Sequence, residues 1–304
     1  MPTALKPLFP PALRQQNLLQ CPPVGRLSSP HTRKFWFYVH EWLLKPLSVW
    51  YCRLRGIPQQ PSVYILPFGL LLKNAPRLRE QEGLAMNLAR AMGVPAPRFI
   101  SFGEPPPHYP YAMPSMLMTR LPGIELDMID DDAVNFELVR DDLVRILTCM
   151  RRFASPWGDA ICGVDGGPVC GPMVPASPLP PCKDEAAFHQ VLRKIGHFSN
   201  TAGRKNSIAA AEAFFSLPPH AVVFTHGDLN RHNIMVDANG HVCGIFDWEA
   251  AAWLPEYWEV SVTALLPKRP WGQFMSKRVA SDIYEAEVTG YRAVFALTAD
   301  SLSM

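Results

Sequence analysis

The stretch VFTHGDLNRHNIM (223–235) sets Thr225, His226, Asp228, Asn230, Arg231, His232 and Asn233 between apolar ends that read as buried strands. Asp228 and Asn233 are five positions apart, so a tight loop over residues 229–232 brings both side chains to one pocket. Nineteen residues after Asp228 stands Asp247, at the end of the apolar run 242–246. Two carboxylates and an amide, each on a loop beside a strand, suit a hard cation such as Mg²⁺. The amide adds an uncharged ligand oxygen, the later acid can bridge metals, and Asp228 is left to meet a substrate hydroxyl. A lone D-x-x-x-x-N is also what turn-forming Asp and Asn produce by bonding their own backbone. The His-Gly before Asp228 and the placement of Asp247 argue against coincidence. His226 reads as a residue packed under the loop rather than a base, and His232 as an exposed loop residue.

Together, HGDLNRHN (226–233) and GIFDWE (244–249) resemble the catalytic and metal-binding loops of the aminoglycoside phosphotransferase family, whose fold is shared with choline kinases and protein kinases. The resemblance implies an α+β, bilobal protein-kinase-like fold with a small β-rich N-lobe and a larger, mainly α-helical C-lobe. It implies in-line transfer of the γ-phosphoryl group of ATP to a hydroxyl, a reaction catalysed chiefly by positioning and charge neutralisation. Asp228 then matches the catalytic aspartate and Asn233 a Mg²⁺ ligand. Asp247 matches the aspartate that holds Mg²⁺ against the nucleotide phosphates.

Such an enzyme needs a lysine on a strand and an acid on the next helix to hold it. Lys73 closes the apolar run LLLK (70–73). Beyond it Leu78, Glu82, Ala85, Ala89 and Met92 recur at alternating steps of four and three, which places Glu82 on the inward stripe of a helix. A buried carboxylate is costly unless paired, and Lys73 is the nearest partner. Taken singly, Lys73 reads as a solvated strand end and Glu82 as a helix flank. Taken together they match the family's lysine–glutamate pair. SMLMTRLPG (115–123) resembles the last N-lobe strand and hinge, where the backbone of Thr119, Arg120 and Leu121 would meet the adenine edge.

The chain departs from the pattern in places. Residues 55–66 offer only Gly56, so no G-x-G-x-x-G precedes Lys73, and the metal loop reads Asp-Trp-Glu (247–249). Gly227 stands where many protein kinases carry the arginine that reads an activation-loop phosphate. The segment from Asp247 to Pro255-Glu256 is too short for a peptide-docking platform, which favours a small-molecule hydroxyl acceptor. AAWLPEYWEV (251–260) and GPMVPASPLPPCKDEAAFHQVL (171–192) resemble the fungal branch of the family, and they name no acceptor. An acceptor with several positive charges would draw on the acids of 125–142, yet Asp130, Asp131 and Asp132 read as caps of a helix start. Asp141 and Asp142 read as its solvated face, and Trp253, Tyr257 and Trp258 as core.

The positioning elements follow from pattern. SVYIL (62–66) and LLLK, joined by Pro67-Phe68-Gly69, predict a hairpin. A helix is expected from about Pro76 to Met92, with proline in its first turn and Gly93 as its stop. FISF (99–102) and SMLMTR (115–120) predict strands, and 121–123 a turn. Apolar spacing predicts a helix from about Asp132 to Phe153. A Gly- and Pro-rich loop follows over 156–183, then helices at 184–197 and 206–215. Strands are expected near 222–225, 233–237 and 241–246, and helix beyond. Strands thus gather early and helices late, as in an α+β chain of two lobes. The expected division is an N-terminal extension with an amphipathic helix (1–54), a nucleotide-binding N-lobe (55–119), and a catalytic and acceptor-binding C-lobe (120–304).

At 304 residues with 48% hydrophobic content and a net charge of +2, the chain can build a large core. The near-neutral balance argues against a nucleic-acid-binding surface. There are 32 prolines, about twice the usual share of roughly 5%, which assigns many to loops. Seven scattered cysteines without a C-x-x-C pair favour reduced thiols over disulfides or zinc. The run FWFYVHEWLLKPLSVWY (35–51) is broken by His40, Glu41, Lys45 and Pro46, so it reads as an amphipathic helix packed on the body rather than a membrane span. Residues 1–40 carry five Lys or Arg and no acid, a faint mitochondrial character in a chain otherwise expected in the cytoplasm. Two other functional classes stay open: a kinase-shaped binding protein of weak activity, and a protein kinase.

Overall fold

The computed structural model describes residues 18–171, 174, 178–196, 204–265 and 270–298. A four-stranded antiparallel sheet forms the first lobe, with β1 (Val63–Leu66), β2 (Leu70–Asn74), β3 (Phe99–Gly103) and β4 (Ser115–Thr119) in the order β1-β2-β4-β3. The β1–β2 hairpin has the expected tight turn, with Phe68 at φ 62° and Gly69 at φ 67°. Alternation along β2 sorts its side chains. Leu72 packs with Leu66 and Leu117 against Leu44 and Leu47 above the sheet, while Lys73 reaches the other side.

The run of aromatic residues near the N-terminus is one continuous helical rod: α1 (Pro30–Val39), a π-helical turn at His40–Leu44, and α2 (Lys45–Arg55). Ser29 caps it, its Oγ accepting from the Thr32 N–H at 3.2 Å. The rod lies over the sheet, α1 against β3 and α2 against β1. His40 pins it there, fully buried, with Nδ1 2.8 Å from Ser115 Oγ and Nε2 3.0 Å from Ser101 Oγ. Burial, helped by Lys45, pushes its pKa down to about 4, so the neutral ring donates to one serine and accepts from the other.

Behind the sheet runs α3 (Glu80–Ala91), which begins four residues later than its apolar spacing predicts. Residues 75–78 instead form a turn closed by the Leu78 N–H on Ala75 O, and Arg79 is extended. Glu80 is drawn away from a purely helical role: its carboxylate accepts the Ser28 N–H at 3.0 Å and pairs with Arg33 at 3.3 Å. Gly93, at φ 87°, stops the chain just past α3 as expected.

The second lobe is larger and mostly helical, built on α4 (Phe136–Arg151), α5 (Glu185–Ile195), α6 (Lys205–Phe215), α7 (Trp258–Thr263), α8 (Pro270–Gln273) and α9 (Glu285–Thr298). The inward stripe of α4 is the expected one: Val139, Leu143, Ile146, Leu147 and Met150 are buried. Its cap is Asn135, whose Oδ1 accepts the Leu138 N–H at 3.2 Å. Asp130–132 are therefore not the caps of this helix; Asp131 pairs with Arg231 instead. Asp142 is not solvated either. It accepts from the Val242 N–H at 2.9 Å, contacts His241 and Arg145 at 3.0 Å, and ties α4 to the sheet below.

Two small sheets complete this lobe, β5 (Ile124–Glu125) with β8 (Ile234–Val236) and β9 (Val242–Ile245), and β6 (Cys162–Gly163) with β7 (Val222–Thr225) and β10 (Ala252–Pro255). Neither β6 nor β10 was expected. A four-residue apolar run has no period of its own to separate it from helix, and β6 is only two residues long. Trp253, Tyr257 and Trp258 are fully buried core, as their sequence context suggests.

His220, just before β7, links α5 to α9. Its Nε2 is 2.9 Å from Glu287 and its Nδ1 3.2 Å from Glu185. Burial opposes its charge, but the two carboxylates outweigh that and push its pKa up to about 9. The unfolded chain releases this proton near 6.5, so the folded state binds it more tightly. This stabilisation is complete below about pH 6.5 and is lost as pH rises through about 9. A melting series from about pH 6 to about pH 10 should fall across that window, and His220→Gln should remove the slope by an amount on the order of 2–3 kcal/mol. An unchanged slope in the variant would assign it to another group.

Candidate active site

Strand β7 delivers His226, Gly227 and Asp228 into the cleft between the lobes. The turn is held from beneath by Glu259 of α7, a carboxylate 2% exposed. It accepts the His226 N–H at 2.7 Å and the Gly227 N–H at 3.2 Å. Burial pushes the Glu259 pKa up, and these two N–H donors oppose that shift. Glu259→Gln turns an amide donor toward at least one of those N–H groups. It should cost about 2–4 kcal/mol in urea unfolding, and a variant as stable as wild type would remove Glu259 from this role.

His226 is structural, as its sequence context suggests. Its Nε2 lies 3.0 Å from Phe246 O and so donates, which leaves Nδ1 to accept the Asp228 N–H at 3.2 Å. Gly227 sits at φ 80°, and a Cβ there would be 2.5 Å from Ala250 O. No side chain fits, so the arginine of regulated protein kinases has no place here.

Asp228 is half-buried, and its carboxylate is held by two amides. Asn230 Nδ2 donates to Oδ1, and Asn233 Nδ2 donates to Oδ2 at 3.2 Å and to the Asp228 carbonyl at 2.8 Å. With its nitrogen turned to Asp228, Asn233 presents Oδ1 as its remaining ligand atom. Asn230 was missed by sequence reasoning, although an amide two residues past an acid in a tight loop is a usable signal.

The β8–β9 hairpin brings the second acid into reach. Phe246 N–H donates to Asn233 O at 3.0 Å, which sets the end of one loop beside the start of the other. Asp247 follows at φ 63°, ψ 60°, a left-handed conformation that is uncommon outside glycine and marks functional loops. Trp248 stacks on Phe224 and meets His226 edge-on at 4.6 Å.

Lys73 joins the lobes. Its Nζ is 2.9 Å from Glu82 Oε1 and 2.6 Å from Asp247 Oδ1. Burial opposes the ammonium charge, but the two carboxylates outweigh it and raise the Lys73 pKa. Burial pushes Glu82 up to about 7, with Lys73 pulling the other way. Glu82 Oε2 is buried without a hydrogen-bond partner among the described residues. Glu249 sits in the same field, its pKa raised by burial and by Asp247.

At the hinge, the Thr119 N–H donates to Arg98 O at 3.0 Å and the Arg120 N–H to Gly69 O at 2.7 Å. Both N–H groups are committed within the lobe. Among the described residues the Leu121 N–H alone of these three lacks an acceptor.

On the other flank of the catalytic loop, Trp271 Nε1 donates to Leu229 O at 2.9 Å. It lines a cavity of about 320 Å³ with Phe136, Phe274, Arg231 and Asp131. A more polar hollow adjoins it, bounded by Asp127, Asp130, Asp132 and Arg231.

The profile of the phosphotransferase enzyme family (APH) matches residues 62–294. No curated protein matches the chain by sequence. Among solved structures, the chain is similar to the aminoglycoside phosphotransferase APH(4)-Ia at a TM-score of 0.57 and 12% identity, covering 84% of this chain and 93% of that one. A thermostable mutant of APH(4)-Ia in ternary complex with AMP-PNP and hygromycin B is similar at a TM-score of 0.55 and 12% identity, over 81% and 86% of the two chains. At such identity the likeness is one of fold: the two-lobed kinase-like architecture.

Proposed function

The chain belongs to the phosphotransferase enzyme family, and from that premise we propose that it moves the γ-phosphoryl group of ATP to a hydroxyl of a small molecule, with Asp228 as its catalytic acid–base group. One observation carries the reading. Lys73 meets both Glu82 and Asp247, the latter 174 positions away in the chain, within 3 Å contacts in the cleft beside Asp228. In this reading Lys73, held by Glu82, steadies the nucleotide phosphates, and the Leu121 N–H meets the adenine edge. Asp228 orients the acceptor hydroxyl and receives its proton, its own carboxylate held by Asn230 and Asn233.

The donor set fits a hard cation: the Asn233 Oδ1 left free by its amide bonds and the Asp247 carboxylate. Asn233 and Asp247 would hold Mg²⁺, which when bound neutralises charge on the transferring phosphate. One fold relative, a mutant of the aminoglycoside phosphotransferase APH(4)-Ia, is in ternary complex with AMP-PNP and hygromycin B, which supports an ATP-type donor and an aminoglycoside-like acceptor. The cavity beside Leu229, with its aromatic floor, is the acceptor side in this reading. The chain divides accordingly into 1–54, 55–119 and 120–304.

The test is transfer of labelled γ-phosphate from Mg-ATP into pooled metabolites and aminoglycosides, with products separated by mass. A labelled small molecule made by wild type and not by Asp228→Asn is the expected result. Metal-dependent ATP binding with no product from any pool would favour a kinase-shaped binding protein, a reading prompted by the lone glycine in 55–66.

A further inference from the structure

One face of the α1–α2 rod covers the sheet; among the described residues nothing covers the other. It shows Phe35 (60% exposed), Trp42 (70%), Leu43 (60%), Trp50 (61%) and Leu54 (67%). These residues form a single ridge because of the π-helical turn at His40–Leu44. At about 100° per residue an unbroken α-helix would carry Leu54 well away from Phe35, and the wider turn removes most of that drift. The ridge runs along a rod of roughly 39 Å and exposes apolar surface on the order of 600 Å², at the upper end of what isolated soluble domains tolerate.

Charge identifies the occupant. Lys34 is exposed near the start of the rod and Arg53 and Arg55 at its end. The only acid on the rod, Glu41, is paired with Lys45. Residues 1–79 hold eleven Lys or Arg and one acid, a net +10, against a whole-chain net of +2, so residues 80–304 carry −8. The near-neutral total conceals this asymmetry. A second copy would set like charges face to face. A nucleic acid would want its cations interleaved with the aromatic rings, but here leucine and proline lie between them. Indole rings on a convex ridge with cations at both ends match the headgroup layer of a bilayer.

We propose that this ridge is a peripheral docking surface for anionic lipid bilayers, which holds the first lobe against the membrane plane. No described helix is long and apolar enough to cross a membrane, so the contact is interfacial. The proposal does not depend on the acceptor or on the chemistry of the cleft.

The test is co-sedimentation of the full chain with phosphatidylcholine vesicles, with and without phosphatidylserine. Wild type is expected to bind only when phosphatidylserine is present, with a blue shift in tryptophan emission. Trp42→Ser with Trp50→Ser should weaken binding at least about tenfold. Arg53→Glu with Arg55→Glu should weaken it about thirtyfold or more. Both variants should melt like wild type, because the altered side chains are exposed. Absence of wild-type binding, equal binding to both vesicle types, or unchanged binding of the tryptophan variant would each overturn the proposal. So would dimerisation abolished by the tryptophan substitutions, or competition that only nucleic acid can supply.

Discussion

Asp228→Asn is expected to lower kcat by on the order of 10²–10⁴ while leaving ATP binding nearly unchanged. The two effects separate because the groups are separate. Nucleotide binding in this site rests mainly on Lys73, Glu82 and Asp247, and the proposed Mg²⁺ ligand Asn233 keeps its 2.8 Å bond to the Asp228 carbonyl, which the substitution leaves in place. Asp228 sits between two amide donors, Asn230 on Oδ1 and Asn233 on Oδ2. An asparagine there has one oxygen and one NH₂, so one of those donors must face another donor. The variant loses its proton acceptor and also the geometry that aims it. Steady-state rates beside calorimetric ATP titration check this. A variant with more than about a tenth of wild-type kcat would remove Asp228 from catalysis, and one that loses ATP affinity as well would move it into nucleotide binding.

Asp247→Asn should abolish the Mg²⁺-dependent part of ATP affinity and lower kcat by on the order of 10²–10³. Asparagine isolates the charge. Asp247 occupies a left-handed conformation at φ 63°, which asparagine tolerates better than most residues, so backbone strain is not added. The change also releases Lys73 from its 2.6 Å contact, leaving Glu82 as its partner at 2.9 Å. ATP titrated with Mg²⁺ and with EDTA should give equal affinities for the variant and different ones for wild type. A metal effect that survives in the variant would assign the cation to other residues.

The parts of this molecule written in periodicity were legible in its sequence. The β1–β2 hairpin and the inward stripe of α4 follow from spacing and turn chemistry, and the Lys73–Glu82 pair from spacing joined to the family resemblance. What escaped depends on neighbours distant in the chain. Asp142 looks like surface until the Val242 N–H is placed against it, and the start of α3 shifts because Glu80 meets Ser28 and Arg33. Strand β10 escaped because four apolar residues can be helix or strand until β7 lies alongside. Within the site, the acids and Asn233 could be found by residue type and interval. Asn230 and Glu259 act by holding others in place, and that role has no spacing of its own.

The Lys73–Glu82 contact is formed in this structure, at 2.9 Å. A switchable kinase keeps this pair apart in its resting state and spends binding energy or phosphorylation on closing it, so that only a fraction of molecules is competent. Many such kinases set the switch with an arginine that reads a phosphate on the activation loop. Gly227 stands at that position here and has no room for any side chain, so a switch of that kind cannot be built on this loop.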